Sequence, residues 1–204
     1  MLERGPYCSA TVGEAVRQLR QEIEDKVAHN YARVVKWGYI KNNIPAKLKI
    51  SPVAMIPHKS KPFRCILDIS FTLFHKGIKY SSVNERACKM DPPEAMVKLG
   101  KVVRRIIHLM AEHRHHGHPF KFAKLDVKDG FWRMAVADDD AWNFCYVLLS
   151  LQERKLLDNI KILVPNSLQM GWCEIPPFFL SSSETARDLV ETIRLNDLLP
   201  HKFE

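Results

Sequence analysis

Residues 120–136 read FKFAKLDVKDGFWRMAV, and the fold turns on how this stretch is understood. Phe120, Phe122, Ala123, Leu125 and Val127 are apolar or small with a rough alternation, which predicts a strand buried on at least one face. Asp126 stands at the end of that strand. A lone carboxylate is costly to bury, so it calls for a cation nearby, either Lys or Arg or a metal ion. An Asp capping the following turn is the other reading of the same residue. Gly130 permits a tight backbone, Phe131 follows at once, and Trp132 to Val136 form a second apolar stretch that turns away.

Two further stretches have the same character of short apolar runs around a polar turn. Residues 52–68, PVAMIPHKSKPFRCILD, give two strands, VAMI at 53–56 and FRCIL at 63–67, with HKSKP as the turn between them. Residues 168–179, LQMGWCEIPPFF, give an apolar run, a Gly turn and a Pro-initiated helix. In this composition and order the three stretches resemble the reverse transcriptases of long-terminal-repeat retrotransposons and their relatives. LDVKDGF is similar to that family's first catalytic motif, residues 168–179 to its later apolar-Gly turn, and residues 52–68 to its fingers hairpin. The resemblance covers roughly residues 44–195.

The resemblance implies an α+β fold, a partial right-hand polymerase with fingers and an incomplete palm, its antiparallel or mixed sheet backed by helices. Residues 1–43 would form an N-terminal helical segment ahead of a reverse-transcriptase-like domain over 44–204. The fingers would span about 44–95 and 137–165, and the palm about 96–136 and 166–204. The implied chemistry is RNA-directed DNA synthesis, in which a primer hydroxyl attacks the α-phosphate of a deoxynucleotide with two magnesium ions neutralising charge. Magnesium takes oxygen ligands. Asp126 matches the first catalytic carboxylate of the family, and the carbonyl of Val127 would be a further metal ligand.

The same resemblance assigns nucleotide contacts residue by residue. Lys59 or Lys61 near the hairpin turn and Arg64 on the returning strand would grip the triphosphate, although a solvated basic tip satisfies the same pattern. Phe131 matches the aromatic placed under the sugar, which leaves no room for a 2′-hydroxyl and favours deoxynucleotides; core packing is the alternative use of such a ring. Gln169, Met170 and Gly171 match the turn that lies against nucleotide and template. Ile175 departs from the family, which usually has a small residue there, and a β-branched side chain could crowd the template base.

A second departure weighs on activity. No Tyr-x-Asp-Asp follows residue 179, so one of three metal-binding carboxylates remains, and the polypeptide by itself is expected to be inactive as a polymerase. The hairpin that carries the missing motif pairs beside the central strand in the family. Its loss would leave a sheet edge open to aggregation or to a partner.

Composition sets the wider limits. The chain has 204 residues, 46% of them hydrophobic, enough for one sizeable core or a core with a smaller lobe. No run approaches the roughly 18–20 apolar residues of a membrane span, and MLERGPYCS lacks a signal-peptide core, so the expected location is cytoplasmic or nuclear. Cys8, Cys65, Cys88, Cys145 and Cys173 are scattered and odd in number, as expected of reduced thiols. The net charge is +8, and from Lys26 to Arg64 nine Lys or Arg occur with no Asp or Glu. A segment of that kind attracts a polyanion by counterion release. This leaves a second reading from a different class, a non-catalytic nucleic-acid-binding module built on residues 26–64, with a basic but merely solvated surface as the plain alternative.

The remaining stretches carry structure rather than chemistry. Val12, Val16, Leu19, Ile23, Val27, Tyr31 and Val34 recur at three- and four-residue steps, which predicts an amphipathic helix over 11–35 with Thr11 and Glu14 as a capping box. Asp91, Pro92 and Glu94 open a second predicted helix over 91–113. HRHHGH at 113–118 is a poor zinc cage in a Gly-containing loop, and a metal-dependent protein built on it is the third reading. VADDDAW at 136–142 predicts a solvated turn before a return strand, NFCYVLL at 143–149. Residues 150–161 fit the family poorly. A last helix is predicted from near Pro177 to about Leu195.

Overall fold

The computed structural model describes residues 1–60, 62–88, 102–116, 127–148 and 157–195. The chain is mixed α and β, with small antiparallel sheets and helices. It divides into two compact units, one made of Met1–Cys88 with Asp129–Ile175 and the other of Lys89–Lys128 with Pro176–Glu204. Each unit is assembled from two separate pieces of sequence.

In chain order the first unit begins with helix α1 (Gly13–Ala28), strand β1 (Ala32–Lys36) and a single helical turn α2 (Trp37–Ile40). Strands β2 (Val53–Pro57), β3 (Phe63–Leu67), β4 (Leu73–His75) and β5 (Ile78–Tyr80) follow, then the short helix α3 (Val83–Arg86). The second piece contributes the short helix α5 (Asp138–Ala141) and strands β6 (Tyr146–Leu148) and β7 (Lys161–Pro165). The second unit contains helix α4 (Val102–His116) and all but the first residue of helix α6 (Ile175–Leu195).

β7 is the middle strand of a three-stranded sheet in the order β1-β7-β6, antiparallel throughout. Its sequence explains the position: Ile162, Leu163 and Val164 are consecutive, apolar and each 0% exposed, the pattern of a strand covered on both faces. Leu163 belongs to one cluster with Ala15, Leu19 and Ile23 of α1 and with Val53, Met55 and Tyr146. Ile162 and Val164 belong to another, with Ala141 and Cys145, against which Val35, Trp37, Ile50 and Trp142 pack. Successive side chains of a strand point to opposite faces, so the two clusters lie on the two sides of the sheet. Burial pushes the Cys145 thiol up to about 12, which makes it an inert core residue.

The amphipathic pattern over 11–35 breaks earlier than its periodicity implies. α1 ends at Ala28, and Asn30 takes a left-handed φ of 59°. Residues 32–36 then pair with β7. Val34 and Val35 are β-branched and fit a pleated surface, so residues 1–43 are not wholly helical. Thr11 does not cap α1 through Glu14; its hydroxyl donates to the Cys8 carbonyl at 2.9 Å. The acidic run 138–140 is not a hairpin turn but the first turn of α5, where carboxylates complement the unpaired N–H groups. β6 is shorter than the predicted return strand and pairs with β7.

Of the predicted helix over 91–113, residues 102–113 are helical and continue to His116, while 91–101 lie outside the described residues. The histidines at 113, 115 and 116 therefore lie in a helix rather than in a loop, and 117–118 lie outside the described residues. Residues 120–126, the greater part of the predicted central strand, also lie outside the described residues. α6 begins at Ile175, two residues ahead of Pro177, and ends at Leu195 as expected. No described helix is long and apolar enough to cross a membrane.

β4 and β5 form a two-residue hairpin with His75 opposite Ile78. Its loop, Lys76 and Gly77, has φ of 49° and 75°, the left-handed pair that suits the twist of flanking strands. Glu85 fastens this ribbon to α3: it accepts from the Ser82 N–H at 2.8 Å, Lys79 Nζ at 2.9 Å and Thr72 Oγ1 at 2.9 Å. Ser82 Oγ in turn accepts from the Glu85 N–H at 3.1 Å, closing a capping box.

Two expectations follow from this architecture. Leu163→Ala empties a fully enclosed position in the middle strand and should lower the unfolding free energy by about 2–5 kcal/mol, read from urea denaturation. The Lys79, Ser82 and Thr72 partners hold the Glu85 carboxyl down to about 2 from its usual 4.5. A depressed carboxyl contributes stability above its unfolded value that is lost as pH falls through the folded one. The ribbon should therefore loosen between about pH 4.5 and 2, visible as faster amide exchange at residues 73–80, and Glu85→Gln should flatten that pH dependence.

Candidate functional site

Most of the residues singled out for nucleotide binding belong to the first unit and come from three local structures. The first is the β2–β3 hairpin, with Val53 opposite Leu67 and Pro57 opposite Phe63. Its apolar inner face uses Val53 and Met55, which are 0% and 1% exposed, with Cys65 and Leu67 packed beside them. Alternation therefore turns Ile56, Arg64 and Ile66 to the outer face. Lys59 is exposed at the tip, where the Ser60 N–H donates to His58 Nδ1 at 3.3 Å. Lys61 lies outside the described residues.

The second structure is the turn at 169–171. Gly171 has φ +102°, a conformation that side-chain-bearing residues rarely adopt. A Cβ there would meet the Leu67 carbonyl oxygen at 3.6 Å and Ile69 Cδ1 at 4.0 Å. Those are ordinary contact distances, so backbone conformation rather than space selects the glycine. Met170 is 51% exposed, and its Sδ accepts from Arg64 Nη2 at 2.8 Å. Arg64 and the turn, widely separated in sequence, meet at this contact.

Gln169 does not join them at the surface. It is 2% exposed, and its Nε2 donates to the carbonyls of Ser167 at 2.9 Å and Leu168 at 3.2 Å. Its side chain therefore holds the approach to the turn in shape, and a nucleotide contact through that amide would require breaking both bonds. Ile175 is 3% exposed, so its β-branched side chain is packed in the protein interior.

The third structure carries Phe131, half-buried on a single 3₁₀ turn, Gly130–Arg133. The Met134 N–H donates to the Phe131 carbonyl at 3.2 Å. Beyond it the chain runs antiparallel to the segment that leads into the Gly171 turn. The Val136 N–H donates to the Asn166 carbonyl at 3.0 Å and the Leu168 N–H to the Met134 carbonyl at 2.9 Å, around a bridge of Ala135 with Ser167. Main-chain bonds thus tie the Phe131 and Gly171 motifs to one another.

One further residue bears on the turn and was not signalled by any of the motifs. Asn84 of α3 contacts Ser70, Gly171 and Cys173 through its side-chain amide. A readable sign of it existed in the spacing of Ser82 and Glu85, an N-terminal capping signature that fixes where α3 begins.

The implied metal ligands are a different matter. Asp126 lies outside the described residues, and Val127 is 54% exposed and belongs to the second unit. Among the described residues no group of three or more His, Cys, Asp or Glu could hold a metal ion. The donor set for magnesium thus rests on the resemblance, and no catalytic step is routed through it.

The basic segment 26–64 is less positive in three dimensions than in sequence. Arg33 pairs with Asp138 at 3.2 Å and Lys41 with Asp158 at 2.7 Å. Lys47 pairs with Asp140, which raises the lysine's pKa. The Lys26 ammonium lies 3.8 Å from the centre of the Trp132 ring. Lys49 is partly buried, and desolvation followed by the nearby Arg86 lowers its pKa. The carboxylates come from the 138–158 part of the sequence, so a count along 26–64 could not include them.

Comparisons with family models and with curated proteins return no match to this chain.

Gly171→Ala offers a direct check on the turn. With ordinary contacts around the new methyl group, the cost should come from the backbone alone and amount to about 1–3 kcal/mol, measured as a shift in the denaturation midpoint with an unchanged slope.

Proposed function

We propose that this chain is the fingers and part of the palm of a right-hand polymerase of the reverse-transcriptase type, and that Arg64 with the Met170–Gly171 turn receives the triphosphate of a deoxynucleotide. The observation that carries the reading is the 2.8 Å approach of Arg64 Nη2 to Met170 Sδ. Two stretches matched to the family separately, the fingers hairpin and the apolar-Gly turn, meet there. A thioether is a weak acceptor, and a guanidinium has five donors, so a phosphate oxygen can replace the sulfur with a stronger, charge-assisted bond.

Arg64, Phe131 and the Met170–Gly171 turn, which the resemblance divides between fingers and palm, all fall within the first compact unit. In this reading Lys59 at the exposed hairpin tip, with Lys61, adds positive charge beside the triphosphate. Phe131 sits under the sugar and disfavours a 2′-hydroxyl, which selects deoxynucleotides. RNA or DNA template-primer is the macromolecular partner. Magnesium, when bound, would neutralise charge on the reacting phosphate, held by Asp126 and the Val127 carbonyl.

The second reading, a non-catalytic nucleic-acid-binding module, rests on the basic segment 26–64, in which Arg33, Lys41 and Lys47 form exposed pairs with carboxylates and Lys36 and Lys59 are exposed.

Titration with dTTP tests the site. Wild-type protein should bind it saturably, and Arg64→Ala should weaken binding by about 10- to 100-fold, the loss of a charge-assisted hydrogen bond. An unchanged affinity would remove the assignment. If single-stranded DNA binds with a steep salt dependence while dTTP does not bind at all, the binding-module reading takes its place.

A further inference from the structure

We infer that Asn84 is a positioning residue for the Gly171 turn, clamping its backbone to α3 so that the turn is held beside Arg64, where the triphosphate is received. This inference rests on the proposed triphosphate site for its consequence, and on main-chain and side-chain geometry for the clamp itself.

The side-chain amide of Asn84 uses both of its ends. Nδ2 donates to Ser70 Oγ at 2.8 Å and to the Gly171 carbonyl at 2.9 Å, and Oδ1 accepts from the Cys173 N–H at 3.0 Å. A primary amide supplies two N–H donors and a carbonyl acceptor. Here both donors and the carbonyl are engaged. The two turn contacts bracket Trp172, so a single side chain grips the backbone on either side of the residue that follows Gly171.

The turn is also closed by the Trp172 N–H, which donates to the Gln169 carbonyl at 3.2 Å, and by the Trp172 ring set edge-on to Phe144. Met170 is exposed, and Gly171 has the backbone freedom of a residue without Cβ. The Gly171 carbonyl is fixed from one side by Asn84, while Gln169 fixes the inward side of the same turn through Ser167 and Leu168. Asn84 is itself held, because it sits between the two partners of the Ser82–Glu85 capping box. Its main-chain N–H is also within 3.3 Å of the Ile69 carbonyl. The clamp therefore joins the connection after the fingers hairpin to the turn that faces Arg64.

Substitutions separate the two ends of the amide. In Asn84→Asp one oxygen can still accept from the Cys173 N–H, but the other faces the Gly171 carbonyl with no proton to give, so two acceptors oppose each other. In Asn84→Ala all three bonds go. Glu85→Gln serves as the control, since Gln still accepts from the Ser82 N–H and keeps the capping box around Asn84, while only the charge pairing with Lys79 is lost.

The experiment combines amide exchange with dTTP binding on the purified 204-residue protein. Both Asn84 variants should speed exchange of the Gly171–Cys173 amides about tenfold or more and weaken dTTP binding by about tenfold, while Glu85→Gln leaves both near wild type at neutral pH. Unchanged exchange in Asn84→Ala and Asn84→Asp would overturn the clamp, as would faster exchange spread evenly over the whole protein. Faster exchange confined to the turn, with dTTP affinity unchanged in a wild type that binds it, would overturn the positioning role. If wild-type protein fails to bind dTTP but the turn still loosens in both variants, the clamp stands and the triphosphate reading falls.

Discussion

The antiparallel register of β1 against β7, from Ala32 opposite Pro165 to Lys36 opposite Lys161, is the constraint on which the rest of the first unit depends. It fixes which face of β7 each side chain takes, because a one-residue slip would move Leu163 to the side of Ile162 and Val164 and reverse both clusters. With the register set, α1 has an apolar surface to cover, and β2 has one to lean on. The strand end at Pro165 then delivers residues 166–168 to the segment that carries Phe131, and Met170 to Arg64 on the outer face of the β2–β3 hairpin. The candidate site is thus a consequence of how one buried strand is seated.

The site is held mainly by short-range polar bonds around that apolar framework. Arg33 illustrates the division of labour. Its Nη1 donates to Asn166 Oδ1 at 2.6 Å, and Asn166 in turn receives the Val136 N–H on its carbonyl, so one guanidinium helps to stitch the two motif-bearing segments. Its pairing with Asp138 across the surface adds little energy of its own, but it directs the side chain. Several lysines and arginines of the first fifty residues thus help to assemble the unit, and Lys59 stands exposed at the tip of the hairpin that carries Arg64.

Legibility in the sequence followed the range of the interactions. The β2–β3 hairpin could be read almost to the residue, because alternation and flanking prolines act within a few positions. The same holds for the last helix, whose start is marked by Pro176 and Pro177. β1 was hidden, because Tyr31 and Val34 continue a helical spacing by coincidence and only the distant β7 makes 32–36 a strand. The acidic 138–140 run looks like a turn in its local sequence because its basic partners, Arg33 and Lys47, lie a hundred or so residues away. Gln169 was placed in the site by motif, yet it satisfies its amide on its own neighbours' carbonyls. Asn84, which grips the turn from elsewhere, carries no mark of that role in its local sequence beyond the cap around it.

The division of each unit into two sequence pieces bears on synthesis. β1 leaves the ribosome more than a hundred residues ahead of β7, its partner, a delay on the order of ten seconds at ordinary elongation rates. Throughout that interval a segment with adjacent valines, Val34 and Val35, has no strand to bond with. Arg33 and Lys36 flank those valines, the placement in which charge disfavours premature strand association. In the finished molecule Arg33 turns its charge to Asn166 and Asp138, so the same residue helps to hold the two halves of the unit together once β7 arrives.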